Sequence, residues 1–169
     1  MNTRMSTRKI AIMTMFVAIA VAGSAFVSFP AGIARAYPIQ HAVNVIAAIM
    51  LGPIPALTIA FMTGLVRLLT GTGSLLAFPG GMIGAYLAGV MYKRFGKSVF
   101  AAIGEVIGTG LIAPFFAIPY AKILMGTTVG TFFFVPPFLV SSFSGAALGL
   151  LLAARLQHTQ VAKKLGTLE

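Results

Sequence analysis

Hydrophobic residues run along the chain in six long blocks, each closed by proline, glycine or a basic residue. The first covers Ile10 to Phe29 and stops at Pro30; the second runs from Pro38 to Leu51-Gly52-Pro53. Blocks this long and this apolar predict helices in lipid rather than in water. The expected helices are 10–29, 38–51, 54–69, 78–92, 99–119 and 131–156, within a single membrane domain, 1–169. Several are shorter than the ~20 residues that a perpendicular span needs. Short helices extended by partly buried loops are therefore expected.

Polar positions inside these blocks are few and patterned. Tyr37, Gln40, His41 and Asn44 recur at helical spacing on one face of the second block, near its start. Ala48 and Leu51 continue that stripe. Polar side chains in a membrane helix face the bundle interior or a cavity. The pattern therefore reads either as a ligand-binding face or as interhelical hydrogen bonding. Glu105 is the only acid within the hydrophobic blocks, and Thr109 lies one turn further along the same face. Arg67 is the most deeply placed basic residue. Glu105 has three candidate partners: a pairing with Arg67, the end of a neighbouring helix, and the Thr109 hydroxyl. With no second acid nearby, a proton relay through Glu105 lacks its next member.

Charge sets the expected orientation. The chain has 12 Lys+Arg against 2 Asp+Glu and only 8% charged residues, too few to cover a water-facing surface. Arg4, Arg8 and Lys9 precede the first helix; Lys93, Arg94 and Lys97 lie between the fourth and fifth; Arg155, Lys163 and Lys164 close the sixth. Cytoplasmic loops carry excess Lys and Arg. Six spans with both termini cytoplasmic put all three groups on one side. The basic excess thus reads as membrane anchoring, not as a nucleic-acid surface. Arg35, Arg67 and Lys122 fall at the outer ends, in or beside the loops 30–37, 70–77 and 120–130. The second of these reads Thr70-Gly71-Thr72-Gly73-Ser74, and the third holds Gly126-Thr127-Thr128 and Gly130. Such loops suit either a lid over an outward-facing pocket or ordinary helix connections. The block 10–29 exceeds the ~7–15 residues of a signal-peptide core, so it is expected to be a retained helix.

Other motifs narrow the chemistry. Gly96-Lys97-Ser98 imitates the end of a phosphate-binding loop, but Met91 stands where the pattern needs glycine and no strand precedes it. Without cysteine and with two histidines, no metal site is expected, and no cofactor. His41 has no serine partner by spacing, and one Glu forms no carboxylate pair, so the chain does not read as an enzyme. In the first helix Ala11, Met15, Ala18 and Ala22 share a face. Small residues there allow close approach by this protein's own helices or by a partner subunit. Leu76 to Gly84 brings glycines to the start of the fourth helix, where backbone or ligand can come close. Phe132-Phe133-Phe134 precedes Pro136-Pro137, which should kink or delay the sixth helix.

Six short helices, the basic N-terminus and the Ala-x-x-x-Ala first helix resemble the S-components of energy-coupling factor (ECF) transporters. More narrowly, Pro38-Ile39-Gln40-His41-Ala42-Val43-Asn44-Val45, Leu51-Gly52-Pro53, Gly71-Thr72-Gly73 and Ala77-Phe78-Pro79-Gly80 resemble the ThiW family, from about Arg8 to Arg155. That resemblance implies an S-component-like bundle in a prokaryotic plasma membrane, importing a thiamin precursor, hydroxyethylthiazole. It implies an outward-open pocket closed by the loops after helices one, three and five. It also implies docking, through Ala18 and Ala22, on a membrane coupling subunit that carries two ABC ATPases. A thiazole with a hydroxyethyl arm needs aromatic walls, for which Tyr37, Phe78 and Tyr120 are candidates. It needs hydrogen bonds, for which Gln40, His41, Asn44, Glu105 and Thr109 are candidates. Three outer basic residues would instead suit an anionic solute, and Arg67 is the deciding position. A stand-alone facilitator and an S-component for another vitamin are the alternatives.

Overall fold

In the computed structural model the described residues are 6–32, 34–124, 126 and 130–157. Arg4, Lys163, Lys164, Thr127 and Thr128 lie outside them. The elements are α1 (Thr7–Phe26), β1 (Phe29–Ala31), β2 (Ala34–Ala36), α2 (Pro38–Leu51), α3 (Pro53–Leu69), α4 (Ala77–Phe95) and α5 (Ser98–Glu105). A π-helical segment, Val106–Ile112, leads into α6 (Ala113–Pro119), a second π segment (Tyr120–Leu124), a 3-10 turn (Thr131–Phe134) and α7 (Val135–Gln157). The protein is thus mostly helical, but the π segment Val106–Ile112 divides the helix expected at 99–119, and the block at 131–156 opens with a 3-10 turn before α7 begins at Val135. Ser98–Leu124 is one continuous rod. Together with Thr7–Phe26 and Val135–Arg155 it is long and apolar enough to cross a membrane.

Local chemistry explains the boundaries. The Ser6 hydroxyl accepts from the Lys9 amide and caps α1. Pro38 and Pro53 open α2 and α3, where a missing N–H costs nothing. Gly96, at φ +68°, closes α4 in the left-handed conformation, so the Gly96-Lys97-Ser98 stretch is a helix–helix turn. Pro114 has no N–H to give to the preceding turn, and the helix widens into π geometry just before it. The prolines at 136 and 137 sit in the first turn of α7, after the 3-10 turn. The loop expected at 30–37 is instead an antiparallel hairpin, pairing Phe29 with Ala36 and Ala31 with Ala34. Neither of its three-residue strands carries an alternation long enough to be read.

α2 is the central helix, packed against α1, α3, α4 and α7. Every residue from Gln40 to Ala48 is buried. Glycine makes the approach possible: a Cβ on Gly145 of α7 would stand 2.4 Å from the His41 Cβ. On α5 and its π segment, a Cβ at Gly104 or Gly108 would meet the α4 backbone at Ala88 or Gly84 within 2.8 Å. Alanine dominates the buried apolar set, whereas large side chains such as Phe26, Leu69, Phe143 and Leu151 are exposed, at 68% or more. Small and polar inside, large and apolar outside is the packing expected of a membrane protein.

Candidate functional site

The hairpin, the start of α2, the end of α3 with its following loop, the start of α4 and the start of α7 meet at one end of the bundle. The described basic residues Arg8, Lys9, Lys93, Arg94, Lys97 and Arg155 belong to the opposite helix ends. Between the converging ends lies a cavity of about 410 Å³. Its polar wall comes from Tyr37, Gln40, His41, Arg67 and Thr109, together with Ser141. Its apolar wall comes from Leu76, Ala77, Pro137 and Phe138. Ala34 and Arg35 of the hairpin and Gly71 to Ser74 of the α3–α4 loop close the rim.

Behind the wall is a buried polar cluster. His41 Nδ1 stands 2.6 Å from Glu105 Oε1. Asn44 donates from Nδ2 to the same oxygen at 3.1 Å and to the Gly81 carbonyl at 3.2 Å. The Thr109 hydroxyl donates to the Gly80 carbonyl at 2.7 Å and lies 3.1 Å from Glu105 Oε1. Glu105 is fully buried, and its Oε2 has no hydrogen-bond partner among the described residues. Glycine again opens the space: a Cβ on Gly84 would fall 2.0 Å from Thr109 Oγ1 and 2.7 Å from Glu105 Oε2. With Nδ1 committed to Glu105, the Nε2 edge of His41 remains for the cavity.

Arg67 organises the rim. Its Nη1 donates to Gln40 Oε1, and its Nη2 donates to the Thr72 carbonyl at 2.9 Å. The amides of Thr72 and Gly73 return to the Arg67 carbonyl at 2.9 and 3.0 Å. The guanidinium stacks on the Tyr37 ring, 3.8 Å from its centroid. One buried side chain thus ties the α3–α4 loop to α2. Ser141 contributes from α7, accepting the Tyr37 amide at 2.8 Å. Arg35 is exposed at the rim and donates from Nη2 to the Ser28 hydroxyl at 2.7 Å.

Against the sequence expectations, Tyr37, Gln40, His41, Arg67 and Thr109 come together on the wall. Asn44 and Glu105 do not line it; they sit one layer behind, holding His41 and Thr109. The Glu105–Arg67 pairing does not form: His41 and Asn44 hold Glu105, while Gln40 and Thr72 hold Arg67. Phe78 is turned away, packing 5.7 Å from Phe61 and against Gly64 of α3. Tyr120 is also outside the wall, and no described residue of 120–130 reaches the cavity. Phe134 packs with Ala117, Ala121 and Phe138, while Phe132 and Phe133 are exposed. Sequence reasoning missed Pro137, Phe138 and Ser141. The serine at helical spacing from Pro137 was the available signal. The α1 residues Ala11, Met15, Ala18 and Ala22 are all exposed, so this face does not serve packing among the described helices.

A family model described as thiamine-precursor transporter protein (ThiW) matches residues 10–159. Comparison with curated proteins and with solved structures returns no match.

Proposed function

The chain belongs to the ThiW family of thiamine-precursor transporters, and from that premise we propose that it is the substrate-binding S-component of an ECF-type importer. Its solute is a thiazole-type thiamine precursor, hydroxyethylthiazole or a form of it. The six helical segments each cross the plasma membrane, with both termini cytoplasmic and the cavity facing outward. The distribution of charge supports this orientation, since the basic helix ends lie opposite the cavity.

The observation that carries the reading is the cavity itself: one polar wall, one apolar wall and a loop tied over the rim by Arg67. A volume of about 410 Å³ suits a small ring-bearing solute. The thiazole ring lies against Phe138 and Leu76, and its polar arm reaches Gln40, His41 and Thr109. Energy comes from a coupling subunit with two ABC ATPases, docked on the exposed Ala18–Ala22 face of α1. No phosphate-binding loop stands in this chain, which supports an external source of energy.

Direct titration of the detergent-purified chain tests the binding role. Thiazole compounds should bind, whereas the pyrimidine half of thiamine should not. The chain has no tryptophan, so calorimetry or labelled ligand is the readout. Uptake into liposomes should require the coupling subunit and ATPases. Uptake by the chain alone would make it a facilitator and end the S-component assignment.

A further inference from the structure

Arg67 is 2% exposed, yet its charge meets no acid among the described residues. Its partners are neutral: the Gln40 side-chain oxygen, the Thr72 carbonyl and the face of Tyr37. Its Nε, also buried, has no hydrogen-bond partner among the described residues. The chain holds two acidic residues, Glu105 and Glu169. Glu105 is engaged by His41 and Asn44, and Glu169 lies outside the described residues. A guanidinium keeps its charge under any condition the protein meets. Burying it against dipoles alone is costly.

Tying a loop down does not require that charge. The Thr72 carbonyl asks only for a hydrogen-bond donor, and a donor need not carry charge. What a permanent cation adds is attraction for an anion, in a cavity that shows no carboxylate on its wall and carries Arg35 at its rim. Two of the five guanidinium N–H groups are used by Gln40 and Thr72, which leaves donors for a further acceptor.

We infer that the cavity takes its solute as an anion, a small ring-bearing molecule whose carboxylate or phosphate rests on Arg67 while its ring lies against Phe138. The inference builds on the cavity being the solute site, and its test separates the two. The full chain is titrated with three compounds: hydroxyethylthiazole, its phosphate monoester, and the acid in which a carboxymethyl arm replaces the hydroxyethyl arm. At least one anion should bind roughly tenfold or more tightly than the alcohol, the scale of a charge-assisted contact over a neutral one. Arg67→Gln should erase that preference, and Arg67→Lys should keep part of it. The comparison on the unaltered chain decides the matter even if a variant fails to fold. Loss of ester binding alone in Arg35→Gln assigns the phosphate; an acid preference indifferent to Arg35 assigns the carboxylate. If the alcohol binds as tightly as both anions, the inference is overturned and the transport reading stands with a neutral solute. If none of the three binds, both fall.

Discussion

His41 and Glu105, on helices α2 and α5, meet at 2.6 Å with the carboxylate fully out of contact with solvent. The pair joins two helices that are distant in sequence, and it fixes which edge of the imidazole faces the cavity. Asn44 and Thr109 complete the environment of the same carboxylate oxygen. Fold stability and the proposed recognition would therefore share one set of residues here. The carboxylate holds the ring, and the ring presents the cavity wall.

Removing the acid should damage both. Glu105→Ala takes the shared acceptor from His41 and Asn44 and should cost about 1–3 kcal/mol, the range for leaving a buried polar group without its hydrogen bond. His41→Ala should lower solute affinity and destabilise too, and the double variant should fall short of the sum, since contacting residues couple by ~0.5–3 kcal/mol. Thermal unfolding in detergent reads all three. Additive losses would show that the two side chains do not interact.

Gly84 and Gly64 give opposite expectations for the same substitution. Alanine is intrinsically better than glycine in a helix by about 1 kcal/mol. At Gly64 the new methyl would meet only the Phe78 ring, at an ordinary 3.5 Å. Gly64→Ala should therefore be neutral or stabilising. At Gly84 the methyl would collide with Thr109 and Glu105, and overpacking of this kind costs about 1–3 kcal/mol. Gly84→Ala should lower the melting temperature and weaken solute binding together. Equal behaviour of the two variants would mean that the Glu105 cluster yields to make room.

Much of this arrangement was legible along the chain because helical spacing is a strong signal. Tyr37, Gln40, His41 and Asn44 fall on one face by arithmetic, and a buried acid such as Glu105 draws attention wherever it stands. Which polar residue reaches the cavity and which supports it from behind depends on helix rotation and on the π segment at 106–112, and spacing does not carry that. Phe78 shows the limit most clearly. Its neighbours Gly80 and Gly81 adjoin the cavity, but its own ring points to α3, where Gly64 leaves room for it. The hairpin was hidden for another reason: pairing of three-residue strands depends on their partner, not on their composition.

The aromatic wall separates residues that look alike in the sequence. Phe138 lines the cavity, whereas Phe78 and Tyr120 do not. Phe138→Ala should weaken solute binding by roughly tenfold, in keeping with the ~0.5–1.5 kcal/mol of an aromatic contact added to its buried area. Phe78→Leu and Tyr120→Phe should bind within about twofold of the unaltered chain, given that substitutions away from a contact change little. Titration of the purified variants checks this. Loss of binding in Phe78→Leu alone would move the solute to the other side of α4.

The exposed face of α1 gives the last expectation. Ala18 and Ala22 touch neither the cavity wall nor the buried cluster behind it, so their bulk is free to change without disturbing bound solute. In lipid, close helix approach depends on small residues at the contact. A leucine at both positions would hold the proposed coupling subunit away while adding only apolar surface that the bilayer tolerates. Ala18→Leu/Ala22→Leu should thus keep solute affinity within about twofold and lower reconstituted uptake by roughly tenfold or more, a loss of the size expected when helix packing fails. Because binding and uptake are read on the same preparation, misfolding and failed docking give different results: the first lowers both, the second only uptake. Full uptake by the double variant would remove α1 as the docking helix and send the search to the other apolar faces.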